Sequence, residues 1–353
     1  MDKTNLRILD ANFNRAREAL RVMEEFVRFH LNDSHLTSLA KNLRHDLAAC
    51  LNQLPHRDLL AARDILGDVG TAITTPSENL RQNAFAVAQA AAKRLTEALR
   101  CLEEYSKIDS PPFAAQLQAL RYRAYQLEKL IISRADISAR LFEIRLYVLL
   151  TECLCSQPIL ATAEAVLAGG ADCIQLREKD KSDKDLLALA RKISRLCRQA
   201  DALFIMNDRP DLAALADADG LHLGRDDLPI DQARRILASH QVIGCSTHSL
   251  AEAQAALDGG ADYLAVGCIF PSPTKPQLAH TGPELIQQIK TICDRPLIAI
   301  GGITAQNAAQ AIAAGATAVA LCQAVIAQPD PAQAARSIKQ QLSSHPQPPG
   351  NRE

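Results

Sequence analysis

The sequence predicts an α/β chain in two parts: an all-α helical-bundle domain followed by a C-terminal (β/α)8 TIM barrel. Three observations carry this. The chain has 353 residues, too many for one ordinary domain and comfortable for two. Apolar residues recur at helical spacing up to about residue 135. From about residue 145, short β-branched or apolar runs alternate with amphipathic stretches, eight runs in all, at intervals of roughly 24 residues that leave room for a helical crossover each time.

Leu20, Met23, Val27 and Leu31 mark one helical face, and Leu95, Leu99 and Leu102 another. The run Glu18-Ala19-Leu20-Arg21-Val22-Met23-Glu24-Glu25-Phe26 is echoed 79 positions later by Glu97-Ala98-Leu99-Arg100-Cys101-Leu102-Glu103-Glu104-Tyr105. A weaker echo pairs Leu43-Arg44-His45 with Leu120-Arg121-Tyr122. Two helix pairs related by duplication are expected to pack as an antiparallel bundle. Between them lies the Gly-containing stretch Arg63-Asp64-Ile65-Leu66-Gly67-Asp68-Val69-Gly70-Thr71. The expected organisation is a helical domain over 1–135, a linker over 136–144, the barrel over 145–342 and a disordered Pro-rich tail over 343–353.

In the second part the expected strands are Leu146–Leu150, Cys173–Leu176, Leu203–Met206, Leu221–Leu223, Val242–Cys245, Tyr263–Val266, Leu297–Ile300 and Val319–Leu321. Three approaches to strands look alike: Ala168-Gly169-Gly170-Ala171-Asp172, Asp258-Gly259-Gly260-Ala261-Asp262 and Ala313-Ala314-Gly315-Ala316-Thr317. Each ends a helix with Gly and enters a strand through a small residue. An open doubly wound sheet is the alternative, weakened by the lack of a GxGxxG after the first strand.

Composition narrows the function classes. The chain is 48% hydrophobic and 22% charged, which excludes a disordered or fibrous protein. Lys+Arg 39 against Asp+Glu 40 gives a net charge of −1, which argues against a general nucleic-acid binder. Pro296–Pro329 holds no charged residue, yet Gly301-Gly302, Gln306-Asn307 and Gly315 interrupt it, so a buried strand–helix–strand unit is expected and not a membrane span. The N-terminus has no apolar signal-peptide core, and Cys173, Cys245, Cys268 and Cys322 fall in apolar runs, as reduced thiols of a cytoplasmic protein do. Cys153-x-Cys155 lacks the partners of a zinc site.

In a barrel, chemistry belongs where strands run into the following loops. Those positions hold Gln175-Leu176-Arg177-Glu178-Lys179, Asn207-Asp208, Gly224-Arg225-Asp226-Asp227, Cys245-Ser246-Thr247-His248, Phe270-Pro271-Ser272-Pro273-Thr274-Lys275, Gly301-Gly302 and Cys322-Gln323. Asp208 and Asp227 suit Mg²⁺ held jointly with phosphate oxygens. Arg177 can fork across two phosphate oxygens, Lys179 and Lys275 add point charges, and Gly301-Gly302 expose backbone amides to an anion. A diphosphate leaving group stabilised in this way needs no nucleophile–base pair. His222 reads as a satisfied core histidine and His248 as a helix cap. The Glu24-Glu25 and Glu103-Glu104 pairs read as ion-paired helix faces.

These strand-end motifs, with Gly220-Leu221-His222-Leu223-Gly224-Arg225-Asp226-Asp227 and Ile300-Gly301-Gly302-Ile303, resemble the thiamine-phosphate synthase family over about residues 145–330. The resemblance implies a transferase that joins a hydroxymethylpyrimidine diphosphate to a thiazole phosphate, or its carboxylated form, with release of diphosphate. It implies that Gln175, Leu176, Arg177, Glu178, Lys179 and Asn207 hold the pyrimidine diphosphate, that Asp208 and Asp227 hold Mg²⁺, that Ser246 orients the pyrimidine and that Lys275 reaches the diphosphate. Ser272, Pro273, Thr274, Gly302, Cys322 and Gln323 would line the thiazole phosphate site, and Arg177, Ser246 and Lys275 would be catalytic. The family usually has Thr at the position of Ser272 and often Val-Ser or Ile-Ser at Cys322-Gln323. A thiazole tautomerase and a non-catalytic phosphate-ligand sensor are the rival readings of the barrel. Small-molecule substrates are the partners expected, with no nucleic acid and no membrane, and the sequence leaves homo-oligomerisation open.

The front part resembles the helical extension fused to some members, for which a hydroxymethylpyrimidine phosphate kinase role has been proposed. Arg63, Asp64, Gly67, Asp68 and the two Glu pairs are its candidate residues, although no P-loop or protein-kinase motif is present. An oligomerisation or docking bundle without chemistry is the contrasting reading.

Overall fold

A computed structural model describes residues 2–69, 80–271 and 280–343, and these divide into two compact units, 1–135 and 136–353. Ser272, Pro273, Thr274 and Lys275, Gly70-Thr71 and the tail from 344 onward lie outside the described residues.

The first unit is helical: α1 (Lys3–Phe29), α2 (Ser34–Leu51), α3 (His56–Ala62), α4 (Ala84–Ser106) and the start of α5 (Pro111–Glu143). Asp2, Asp33 and Asn83 cap α1, α2 and α4 by accepting from backbone amides three residues on, which satisfies otherwise orphaned donors. Helices α1 and α4 run antiparallel, since Asn5 Nδ2 donates to Asp109 Oδ2 (2.6 Å) while Arg94 pairs with Glu18 (3.3 Å). The sequence echoes carry a duplicated ion pair. Arg44 reaches buried Glu24 at 2.8 Å, and Arg121 reaches Glu103 at 2.8 Å, each arginine from the second echo and each glutamate from the first. Residues 136–143, expected to be linker, are the last turns of α5. Their Ile137 and Leu141 pack with Ile144, Tyr147, Cys173 and Leu203 across the lower end of the barrel, which explains why the chain stays helical there.

The second unit is a closed barrel of eight parallel strands in sequence order, β8 pairing with β1. The strands are β1 (Leu146–Leu150), β2 (Cys173–Leu176), β3 (Leu203–Asn207), β4 (Gly220–Leu223), β5 (Val242–Thr247), β6 (Tyr263–Val266), β7 (Leu297–Ile300) and β8 (Ala318–Leu321). Between and after them lie α6 (Ile159–Ala168), α7 (Asp183–Gln199), α8 (Pro210–Leu215), α9 (Ile230–Ile236), α10 (Leu250–Asp258), α11 (Glu284–Lys290), α12 (Ala308–Ala313), α13 (Gln323–Ile326) and α14 (Pro331–Ser343). The period of two along each strand sorts the side chains. Leu146, Val148, Ile174, Leu176, Phe204 and Leu221 pack outward with the helices, while Tyr147, Cys173, Leu203, Ile205, Tyr263 and Ile298 fill the interior.

The three look-alike approaches share a device. Gly170, Gly260 and Gly315 take φ +93°, +89° and +109°, and each is followed by an amide that bonds back to a carbonyl five residues earlier. Two residues beyond each glycine, a side chain crosses to the preceding strand. Asp172 accepts from Leu146 N, Asp262 from Ile243 N and Thr317 from Leu297 N. Asp219 does the same for Phe204 N, with Asp217 in the positive-φ position. Each even-numbered strand is thus entered through a residue that caps its odd-numbered neighbour, which fixes the pairing of strands and so the positions of the strand ends above.

Candidate active site

The upper end of the barrel opens into a cavity of about 540 Å³ lined by Arg177, Ser246, His248, Gly301, Gly302, Cys322 and Gln323, among others. Beneath it is a smaller chamber of about 160 Å³ among Tyr147, Gln175, Asn207, His222, Ser246 and Tyr263. Leu149, Arg177, Ser246, Ile300 and Ala320 border both.

Arg177 leaves β2 with its backbone pinned on both sides, its N–H on Leu150 O and its carbonyl accepting from Thr151 Oγ1. Its guanidinium has no hydrogen bond or ion pair among the described residues, so its donors remain available to a ligand. Asp208 follows β3 at φ +61°, a conformation that costs an L residue about 1 kcal/mol or more and recurs at functional sites. Its carboxyl is pushed up to about 6, first by burial and then by the hydrogen bond and charge of Asp227, with Lys179 and Arg177 pulling the other way. Lys179 stands 3.7 Å from it. Asp227 Oδ2 accepts from Gly224 N at 2.6 Å, which ties the carboxylate to its own loop after β4. Two facing carboxylates, with Lys179 and Arg177 beside them, are oxygen donors of the kind that could hold a hard divalent ion.

Glycines 301 and 302, at φ +95° and +64°, bring the backbone against the loop after β6. A Cβ on Gly302 would lie 2.3 Å from Phe270 O, and one on Gly301 2.3 Å from Cys268 Sγ. Asn307 holds this turn by donating to Gly302 O and accepting from Thr304 N. The amides of Gly302 and Ile303 donate to no described residue and border the cavity, as phosphate-binding backbone does. Burial pushes the Cys322 thiol up to about 11, so it stays protonated.

The structure brings Gln175, Arg177, Asn207, Asp208, Asp227, Ser246, Gly302, Cys322 and Gln323 to this end of the barrel. Leu176 does not line it, since its side chain faces the helices. Glu178 turns away to accept from the backbone N–H of Glu152, whose carboxylate pairs with Lys181. His222 is buried, and desolvation lowers it to about 4, so its ring is neutral. His248 lines the cavity with its Nδ1 3.2 Å from Glu252 Oε2, while Ser249 caps α10 in the place expected for the histidine. Sequence reasoning missed Tyr147 and Tyr263. Their signal was there in part: each is a hydroxyl-bearing ring at an inward position of its strand.

In the helical unit the Arg63–Asp64 group and Glu24 stand apart. Arg63 forks onto Asp10 through two 2.8 Å bonds and Arg7 reaches Asp64 O. Glu24 lies 14 residues beyond Asp10, about 21 Å along α1. Glu24, Glu25, Glu103 and Glu104 are all ion-paired to arginines or lysines.

A closed (β/α)8 barrel whose strand ends gather an arginine and backbone amides without partners among the described residues, together with facing carboxylates, defines a phosphate-handling barrel enzyme. The family described as thiamine monophosphate synthase matches residues 146–325, and the ThiD2 family matches residues 7–130. A thiamine-phosphate synthase of Synechocystis is 43% identical over 337 residues, covering 96% of each chain. One from Nostoc punctiforme is 42% identical, covering 96% of this chain and 94% of its own, and one from Rhodopirellula baltica is 38% identical, covering 92% and 88%. The structure of thiamine phosphate pyrophosphorylase from Pyrococcus furiosus superposes with a TM-score of 0.54 at 33% identity, covering 58% of this chain and 98% of that one. The chain belongs to the thiamine-phosphate synthase family and is a transferase. No helix among the described residues is long and apolar enough to cross a membrane.

Proposed function

We propose that the barrel condenses 4-amino-2-methyl-5-(diphosphooxymethyl)pyrimidine with 4-methyl-5-(2-phosphooxyethyl)thiazole, giving thiamine monophosphate and diphosphate. The observation that carries this is the two-chambered cavity, with the Arg177 guanidinium, which has no partner among the described residues, bordering both chambers and the Asp208–Asp227 pair on the same rim. The inner chamber takes the pyrimidine ring and the outer one the thiazole phosphate. The C–O bond between the pyrimidine methylene and the diphosphate breaks first, and the leaving group carries the electron pair away. The thiazole nitrogen then donates its lone pair to the methylene carbon to form the new C–N bond.

Arg177 and Lys179 stabilise the charge that develops on the departing diphosphate, and no general base is required. Ser246, at the border of the chambers, orients the pyrimidine. Gly302 and Ile303 present amides to the thiazole phosphate. Asp208 and Asp227 would hold Mg²⁺, which supplies neutralisation of the diphosphate when bound. Roles for Ser272, Pro273, Thr274 and Lys275 rest on the family resemblance. A thiazole tautomerase needs an acid–base group at the mouth, which His248 beside Glu252 could furnish, but it has no use for Arg177, Asp208 and Asp227.

The test mixes the full-length protein with both substrates and Mg²⁺ and follows diphosphate release. Turnover that Arg177→Ala leaves untouched would sink the leaving-group assignment. For the helical unit the proposal is phosphorylation of the pyrimidine monophosphate, which would supply the barrel's substrate; its match to the ThiD2 family and its place in the same chain support this. ADP formation by the full chain that depends on pyrimidine monophosphate is the expected result, and its absence removes the kinase reading in favour of a docking bundle.

A further inference from the structure

Five inward-facing side chains on five strands form one hydrogen-bonded chain through the barrel interior. Gln175 Nε2 meets Tyr147 Oη at 2.7 Å, Tyr147 Oη meets Tyr263 Oη at 3.0 Å, Tyr263 Oη meets His222 Nδ1 at 3.1 Å, and His222 Nε2 meets Ser246 Oγ at 2.9 Å. Gly244 makes the arrangement possible, because a Cβ there would lie 1.9 Å from Tyr263 Cζ. The two tyrosines and His222 are buried, and each of their polar atoms is used within the chain.

Proton counting gives this chain a direction. An amide nitrogen can only donate, so Tyr147 Oη accepts from Gln175 and sends its single proton to Tyr263 Oη. Tyr263 in turn sends its proton to His222 Nδ1, which must be bare. A neutral imidazole with a bare Nδ1 carries its proton on Nε2 and donates it to Ser246 Oγ. The hydroxyl proton of Ser246 is then left to point into the chamber.

We infer that this relay fixes Ser246 as a hydrogen-bond donor to the inner chamber and so selects a ring that presents an unprotonated nitrogen there. Gln175 Oε1 accepts no hydrogen bond among the described residues and gives the same chamber an acceptor. Donor and acceptor together match a ring nitrogen beside an exocyclic amino group, and oppose the N–H and carbonyl of a 4-oxopyrimidine. Tyr147, Tyr263 and His222 are positioning residues that act through Ser246. The inference rests on the pyrimidine reading above for its ligand, whereas the direction of the relay does not. Turning the Gln175 amide over would reverse every bond and leave Ser246 donating to the histidine.

The tautomer of His222 therefore reads the direction. The full-length protein is labelled with ¹⁵N-histidine, and the His222 signals are identified by their loss in His222→Gln. A neutral ring protonated on Nε2 is expected; protonation on Nδ1 overturns the inference. Tyr263→Phe removes the hydroxyl that keeps Nδ1 bare. It should give mixed tautomers and raise KM for the pyrimidine diphosphate about tenfold, with KM for the thiazole phosphate unchanged. A variant unchanged in both tautomer and KM overturns the relay, and if Tyr263→Phe does not fold, the wild-type spectrum decides alone. The 4-oxo analogue should compete at least tenfold less well than the 4-amino compound, and equal competition overturns the selection. An Nε2 tautomer with an unaltered pyrimidine KM in Ser246→Ala keeps the relay and rejects the placement of the pyrimidine instead.

Discussion

The two units treat charge in opposite ways. In the helical unit, buried Glu24 and Glu103 are matched by Arg44 and Arg121, and Arg63 forks onto Asp10. At the top of the barrel, the Arg177 guanidinium has no hydrogen bond or ion pair among the described residues, Asp208 in a left-handed conformation faces Asp227 with only a 3.7 Å contact to Lys179, and the amides of Gly302 and Ile303 donate to no described residue. Charges that answer one another hold a structure together. Charges left unanswered are available to a ligand, at some cost to the stability of the free protein. The contrast implies that charge-removing substitutions should harm folding in the first unit and turnover in the second.

The largest effect tests the barrel side. Asp208→Ala should lower kcat/KM for diphosphate release by about 10²–10³ and alter its Mg²⁺ dependence, with little loss of Tm. Activity that persists with the same Mg²⁺ dependence would show that these carboxylates are not the metal site.

Glu103→Gln is the matching experiment in the helical unit. It removes the negative charge from a pair whose side chains are 1% and 7% exposed, leaving Arg121 buried without a counter-charge there, and should cost about 3 kcal/mol by chemical denaturation while barrel turnover stays near wild type. A fall in turnover without a fall in stability would move Glu103 from structure to chemistry. The same pair has a pH signature. Burial works to raise the Glu103 carboxyl but is outweighed by the hydrogen bond and charge of Arg121, aided by Arg100 and Lys107, so its pKa falls below the ordinary carboxylate range. A depressed pKa contributes stability above the unfolded value and loses it as pH falls through the folded one. The helical unit should therefore weaken on acidification below about pH 4, and Glu103→Gln should flatten that part of the profile.

The smallest effect concerns the strand-entry device. Thr317→Val keeps the shape but removes the oxygen that accepts from Leu297 N at 3.1 Å, and should cost about 1–2 kcal/mol. A neutral result would mean that the device is tolerated and does not support the pairing of β7 with β8.

Much of this was legible in the chain. The expected strands match those observed to within two residues at either end, because short β-branched runs between Gly-terminated helices have few alternatives. The strand-end residues were legible for the same reason, since a barrel sends the residue after each strand to one rim. Leu176 was placed with its neighbours by adjacency in sequence, yet the period of two turns it to the other face. Residues 136–144 carried no linker signal stronger than a change of pattern, and tertiary packing of Ile137 and Leu141 kept 136–143 helical. The Tyr147–Tyr263 contact joins positions 116 apart, and nothing local to either tyrosine announces the other.

The sequence by itself determined the order of elements, the duplicated helical motif, the glycines that end helices and the residue types that reach the rim. Each is a local property, set by spacing, by backbone freedom or by the strand period. Only the tertiary structure decided which charges are answered and which stand open, and in which direction the interior hydrogen bonds run. Those depend on groups brought together across the barrel or between helices, where burial fixes protonation and each hydroxyl has one proton to give.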